Sequence, residues 1–228
     1  MCAKVFETGI KGLEVMLGGG IRWGSSFNIV SDLLDRETLC HQIVANALRR
    51  GFIVYYLCFK EAPERVRLLM KEMNLNTEHY EKKRLLRFYT PLETDLTRAS
   101  KESAELIKAF DKFLAGWMRD VTLRVITGKK VVVVINSVSA IYDLLHEDPK
   151  FKDFLTKGSS WLRKLIKVIN INIADLRHLE AAEAIVDFCI VLKNIDGIPY
   201  IKLTKMATSS WVPYTSTQNG IEIAEEFL

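Results

Sequence analysis

Apolar residues along this chain keep two alternating rhythms. Apolar-rich runs at Phe27–Ser31, Phe52–Phe59, Val131–Ile135, Val168–Ala174 and Phe188–Leu192 have the length and β-rich composition of strands. Between them, apolar residues recur at helical spacing. A helix from near Glu37 to Arg50 carries Leu39, Ile43, Ala47 and Leu48 on one face and stops at Gly51, a C-cap residue. Pro63 opens a second helix, with Val66, Leu69, Met70 and Met73 on one side. Leu106, Ile107, Phe110, Phe113, Leu114 and Trp117 mark a third, roughly Ala99 to Arg119, whose aromatic residues read as core. A fourth runs from about Phe151 to Val168 through Trp161, Leu162, Leu165 and Ile166. Shorter pieces complete the pattern: an edge strand at Leu85–Tyr89, a helical piece at Ala181–Ala184 and a last strand at Gly220–Ala224. Asp196-Gly197 is a hairpin signal, joining Phe188–Leu192 to a strand at Pro199–Leu203.

Strands alternating with helices predict an α/β fold. The expected architecture is a mostly parallel central sheet with helices on both faces and an antiparallel hairpin at the C-terminal edge. The strand Val131–Ile135 is the most hydrophobic and is expected at the centre, with Ser137–Leu145 leaving the end where ligands bind in open α/β sheets. No repeat, linker or low-complexity tract interrupts residues 1–228, which predicts a single domain.

Composition changes this picture little. A chain of 228 residues with 49% hydrophobic and 26% charged residues can bury a full core. A net charge of +4 is accounted for by a solvated basic face and does not of itself require a nucleic-acid partner. The four cysteines, Cys2, Cys40, Cys58 and Cys189, form no CxxC pair, and reduced thiols point to a cytoplasmic setting. Lys4 and Glu7 argue against a secretory leader, and no apolar run is long enough to span a membrane.

The chemistry that matters lies where the strand Phe27–Ser31 hands over to its helix. Such a corner is where a phosphate-binding loop sits, and that loop needs glycines so that backbone N–H groups can turn onto the anion. It also needs a lysine for the β/γ-phosphates and a Ser/Thr hydroxyl for Mg²⁺. The connection here is Asp32-Leu33-Leu34-Asp35-Arg36-Glu37-Thr38, with no glycine. Three carboxylates against Arg36 leave the loop net negative, and at a few Å each repulsion with an anion is of order several kcal/mol. The Gly18-Gly19-Gly20 triplet does not substitute for it. It precedes the first confident strand, so no helix N-terminus stands behind it, and a flexible turn placing Ile21 and Trp23 is the expectation. His41, His79, His146 and His178 have no metal-ligand spacing, and Ser31, Ser137 and Ser139 lack a G-x-S-x-G elbow.

Four separated stretches resemble the KaiC-like proteins of the RecA superfamily of P-loop ATPases. TGIKGLEVMLGGGIRWGS resembles their opening TGxxGLDxxLGGGxxxG pattern, and FIVYYLCFKEAPERV their strand ending in Glu-Glu-x-Pro-Glu. VVVVINSVSAI is similar to their VVIDSLSAL strand, and KLTKMATSS to their KMRGT stretch. The resemblance implies a RecA-like fold with degenerate Walker A and B motifs. Arg36 aligns near the phosphate-loop lysine and Glu37 near the Mg²⁺-binding hydroxyl, in a loop about two residues too short for G-x-x-x-x-G-K-[ST]. A guanidinium fork does not reproduce a slim ammonium inside a tight cradle. The metal-side aspartate aligns with Asn136. Lys60 stands at the first of the paired glutamates, the water-activating base, with Glu61 kept at the second. Lys205 and Met206 are kept, but the arginine that family members direct at a neighbour's nucleotide is Ala207.

Cradle, metal site, base and intersubunit sensor are all altered, so the resemblance implies an ATPase fold that has given up hydrolysis, with neither ATP nor Mg²⁺ expected as cofactor. The degenerate positions are Asp32, Asp35, Arg36, Glu37, Thr38, Lys60, Glu61, Asn136 and Lys205. The leading expectation is a regulator or scaffold working through a protein partner, as a monomer or dimer rather than a ring. Two alternatives stay open. One is binding of a nucleotide or other small ligand without hydrolysis, with Arg36, Thr38, Ser137 and Ser139 as polar groups. The other is nucleic-acid binding through Lys82, Lys83, Arg84 and Arg87 or through Trp161, Arg163, Lys164 and Lys167, ranked lower because the segment Asp175–Glu180 is too short for a recombinase DNA loop.

Overall fold

The computed structural model describes residues 5–90, 103–144, 158, 160–206, 210–217 and 220–224. Nine strands form one sheet: β3 (Ser26–Val30), β4 (Ile53–Cys58), β5 (Leu86–Tyr89), β6 (Val131–Asn136), β7 (Val168–Ala174), β8 (Phe188–Ile195), β9 (Ile198–Thr204), β10 (Val212–Thr217) and β11 (Gly220–Ile223). Their order across the sheet is β11-β10-β9-β8-β3-β7-β6-β4-β5. From β8 to β5 every neighbouring pair is parallel, while β8, β9, β10 and β11 follow one another antiparallel. The C-terminal edge is therefore a four-strand meander, larger than the hairpin expected from Asp196-Gly197.

Alternation along the strands sorts the core into two layers, one on each face. Val132 and Val134 of β6 pack with Leu39, Ile43 and Leu48 of α2 (Asp35–Arg49) and with Val66 and Met70 of α3 (Pro63–Glu72). Val131 and Val133 face the opposite layer. There they meet Trp117 and Val121 of α5 (Ser103–Ile126), Val138 and Ile141 of α6 (Val138–Leu144), and Ala182 of α7 (Leu179–Ala184). Burial of both faces is why these strands read as continuous apolar runs. In β7 asparagines interrupt the run and answer one another across the strands. Asn172 donates to Asn28 Oδ1 at 2.8 Å, Asn170 to Ser26 Oγ at 2.9 Å, and Asn28 to the Ala182 carbonyl at 2.7 Å.

Several boundaries differ from the pattern. Helix α2 starts at Asp35, two residues before Glu37, and α5 runs on to Ile126. The expected start of that helix at 99–102, residues 151–157 of the fourth helix, and Ala207 lie outside the described residues. Thr77–Lys82 forms a short helix, α4, capped by Asn76, whose side chain accepts from the His79 N–H at 3.3 Å. Its charged composition hid it from a periodicity reading. Before the sheet, β1 (Val5–Phe6) pairs antiparallel with β2 (Ile21–Arg22), flanking α1 (Lys11–Met16). The glycine triplet lets the chain pass close beneath β1, since a Cβ on Gly20 would lie 2.6 Å from the Phe6 carbonyl oxygen, at a φ of +125°. Trp23, as expected, is held in place, edge-on to Phe6 and Phe52.

Candidate functional site

The carboxyl ends of β3, β4, β6 and β7 converge on the connection from β3 to α2. Ser31 is fully buried, and its Oγ accepts the N–H of Leu33 at 2.9 Å, folding the chain back on itself. The N–H groups of Glu37 and Thr38 return to the Leu34 carbonyl at 3.0 and 3.4 Å. Three of the amides that a phosphate cradle would need are thus committed within the loop.

The occupant of the corner is Arg36. It is buried, and its guanidinium donates to the Ser31 carbonyl, to Asp175 Oδ1 just beyond β7, and through Nε to Glu37 Oε1 at 3.0 Å. Burial works against the charge on Arg36, but Glu37 and Asp175 together outweigh it and hold the guanidinium above its ordinary value. A positive fork therefore fills the space in which an active enzyme would seat phosphate, neutralised by the chain's own carboxylates.

The three carboxylates summed at this corner from the sequence are dispersed by the geometry. Asp32 turns outward and accepts the Leu176 N–H at 3.0 Å. Asp35 reaches the C-terminal meander, accepting from the Tyr214 hydroxyl at 2.7 Å and Ser216 Oγ at 2.9 Å. Leu34 is 74% exposed. Only Glu37 of the three acids faces inward, and it does so paired with Arg36.

The remaining degenerate positions divide between this corner and its surroundings. Asn136 is buried and donates to the Tyr56 hydroxyl at 3.2 Å, which lies 3.0 Å from His41 Nε2. Asn136, Tyr56 and His41 thus form one buried hydrogen-bonded chain beneath the corner. Burial lowers the His41 pKa to about 4 and raises that of Tyr56. Lys60 is exposed, whereas Glu61 has a side chain 15% exposed and pairs with Arg65 at 3.4 Å. Lys205, with a φ of 61°, points away and donates to the carbonyls of Glu183 and Val186. Thr38 lines a cavity of about 510 Å³ between α2 and α3, together with Glu37, Glu61 and His41. Ser137 Oγ accepts the Ala140 N–H at 3.1 Å within its own turn, whereas Ser139 Oγ accepts the N–H of Asp175 at 2.8 Å, tying α6 to the end of β7.

Asp175 is the residue that sequence reasoning passed over as a partner for Arg36, naming it only as a loop boundary. The strand pairing was the missing signal: Val30 lies opposite Ala174 in the β3–β7 ladder, which places the residues after each strand side by side. In the basic stretches, Lys82 pairs with Glu78 at 2.6 Å, Arg87 with Asp120, and Arg163 with Asp187 at 3.8 Å.

A nucleoside triphosphate with Mg²⁺ does not fit these residues: its phosphate position holds a buried guanidinium, three of the loop amides are spent, and an amide replaces the metal-side carboxylate. Among the described residues no three His, Cys, Asp or Glu side chains are placed to hold a metal ion. No helix among the described residues is long and apolar enough to cross a membrane.

The sheet order, the β3–loop–α2 corner and the two helical layers define a RecA-like fold of the P-loop NTPase class, with a phosphate loop lacking its usual chemistry. The family model described as "ATPase: KaiC" matches residues 6–225, and the chain belongs to that family. Among solved structures, a KaiC-like protein from the hyperthermophilic archaeon Pyrococcus horikoshii OT3 superposes with a TM-score of 0.76 at 22% identity, covering 97% of this chain and 99% of the other. A search of curated proteins gave no match.

Proposed function

We propose that this chain is a KaiC-family pseudo-ATPase that does not hydrolyse nucleotide and acts through protein contacts, as a regulator or scaffold. The observation that carries the reading is the seat of Arg36. To admit a triphosphate, the guanidinium would have to leave Ser31, Glu37 and Asp175, exposing two carboxylates to the incoming anion. Breaking one buried ion pair in this way costs about 3–5 kcal/mol, more than a helix N-terminus returns. The same reading takes the chain as one cytoplasmic domain, a monomer or dimer.

Calorimetric titration with MgATP, run beside a phosphate-release assay on the full chain, tests this. No saturable heat is expected up to about 1 mM nucleotide, where even a binding free energy of about −4 kcal/mol would register. Saturable binding, or phosphate release that disappears in Glu61→Gln, overturns the proposal.

A further inference from the structure

The cavity between α2 and α3 carries a charge opposite to the one this fold ordinarily serves. Its walls bring Glu37, Glu61 and Glu72 against a single guanidinium, Arg65, with Leu69 and Met73 supplying apolar surface. Glu37 is 6% exposed, and although Oε1 is taken by Arg36, its Oε2 has no hydrogen-bond partner among the described residues. Glu61 repeats the arrangement from the other wall: Oε1 meets Arg65 at 3.4 Å, and the buried Oε2 has no partner among the described residues. Two residues that line one cavity from different segments therefore each hold a buried carboxylate oxygen without a donor among the described residues. Buried acceptors without donors are costly, and a pair of them marks a position that a ligand completes.

We propose that this cavity binds an organic cation bearing N–H donors, an aliphatic ammonium or guanidinium on an apolar stem. The orphan oxygens ask for hydrogen-bond donors, which a quaternary ammonium lacks; the aromatic cage such an ion prefers is also missing, since His41 is the lone ring in the described lining. A bare metal ion needs several converging ligands, and the described acidic groups are not so placed. A volume of about 510 Å³ leaves room for a stem several carbons long beside Leu69 and Met73. The binding is independent of whether Arg36 yields to nucleotide, because the cation takes the unpartnered Oε2 of Glu37 and leaves its Oε1 paired with Arg36.

Agmatine, a guanidinium on a four-carbon amine, is titrated into the full chain by calorimetry at physiological salt, with spermidine and N-acetylarginine amide as parallel ligands. Saturable agmatine binding is expected, weakened about ten-fold or more in Glu61→Gln, as for other truncated charge pairs. Glu72→Gln, at an exposed position, should weaken it less. Tighter binding of spermidine than of the arginine amide identifies a free polyamine as the ligand; the reverse order identifies a basic side chain of a partner. Absence of saturable binding by all three, affinity unchanged in folded Glu61→Gln, or equal displacement by MgCl₂ at matched ionic strength overturns the proposal. The MgATP titration reads the nucleotide question separately, so failure of one leaves the other intact.

Discussion

Replacing Arg36 by methionine preserves much of the side-chain volume and removes the charge that three groups share. In the folded protein Glu37 and Asp175 then face one another, with side chains 8% and 16% exposed, and the Ser31 carbonyl loses its donor. Leaving one partner of a buried pair uncompensated costs about 3–5 kcal/mol, and the carbonyl adds a share that is not additive with it. Against a total stability of about 5–15 kcal/mol this is a large fraction. At about 2–4 °C per kcal/mol for a chain of this size, Tm should fall by about 6–20 °C. Urea unfolding followed by circular dichroism, together with scanning calorimetry, measures both quantities. The triple variant Arg36→Met, Glu37→Gln, Asp175→Asn removes the stranded charges and should regain at least half of the loss, because a neutral buried cluster has no ionic desolvation to offset. A single-variant loss below about 1 kcal/mol, or a triple variant no more stable than the single, would refute the claim that the corner is built around a neutralised cation.

Two titrations act in opposite directions. His41, lowered from 6.5 to about 4 by burial, contributes stability present above pH 6.5 that is lost as the pH falls through 4; the loss is about 3 kcal/mol, and His41→Gln should flatten this limb of a pH series of urea midpoints. Glu37, raised above 4.5 mainly by burial, contributes stability present below 4.5 that is lost as the pH rises through its raised value, so Glu37→Gln should remove that decline in the same series. Asp120 gathers Arg87, the Tyr55 hydroxyl at 2.9 Å and the Tyr89 hydroxyl at 3.3 Å, and Asp120→Asn should destabilise by about 1–3 kcal/mol in chemical denaturation. Gly12→Ala puts a methyl 2.6 Å from Ile223 Cβ and 2.7 Å from its carbonyl; prising α1 from β11 should cost about 1–3 kcal/mol, read as a lowered Tm.

The parallel strands were legible because burial on both faces writes itself into the chain as unbroken apolar runs, as at Val131–Ile135. Helix α4 and the two-residue strands β1 and β2 were not, since six polar residues or a two-residue bridge carry no period to detect. At the site, the missing glycines of the phosphate loop were plain from composition, but the electrostatic reading summed Asp32, Asp35 and Glu37 as though they shared a point. Side-chain direction, which no local pattern encodes, sends two of them to partners 144 and 179 residues away. Asp175 likewise lies 139 residues beyond Arg36, within reach only through the β3–β7 ladder.

The asparagines threaded between β3 and β7 bear on how the chain finds one arrangement among near neighbours. Isoleucine and valine would accept almost any offset between two buried strands, since one aliphatic surface greases another equally well. Sliding β7 by a single residue would instead turn Asn170 and Asn172 to the opposite oily layer and break the hydrogen bonds that their side-chain amides donate to Ser26 and Asn28. The polar rungs add little to the depth of the native minimum; they raise the floor of its competitors, and the corner that seats Arg36 inherits its alignment from that discrimination.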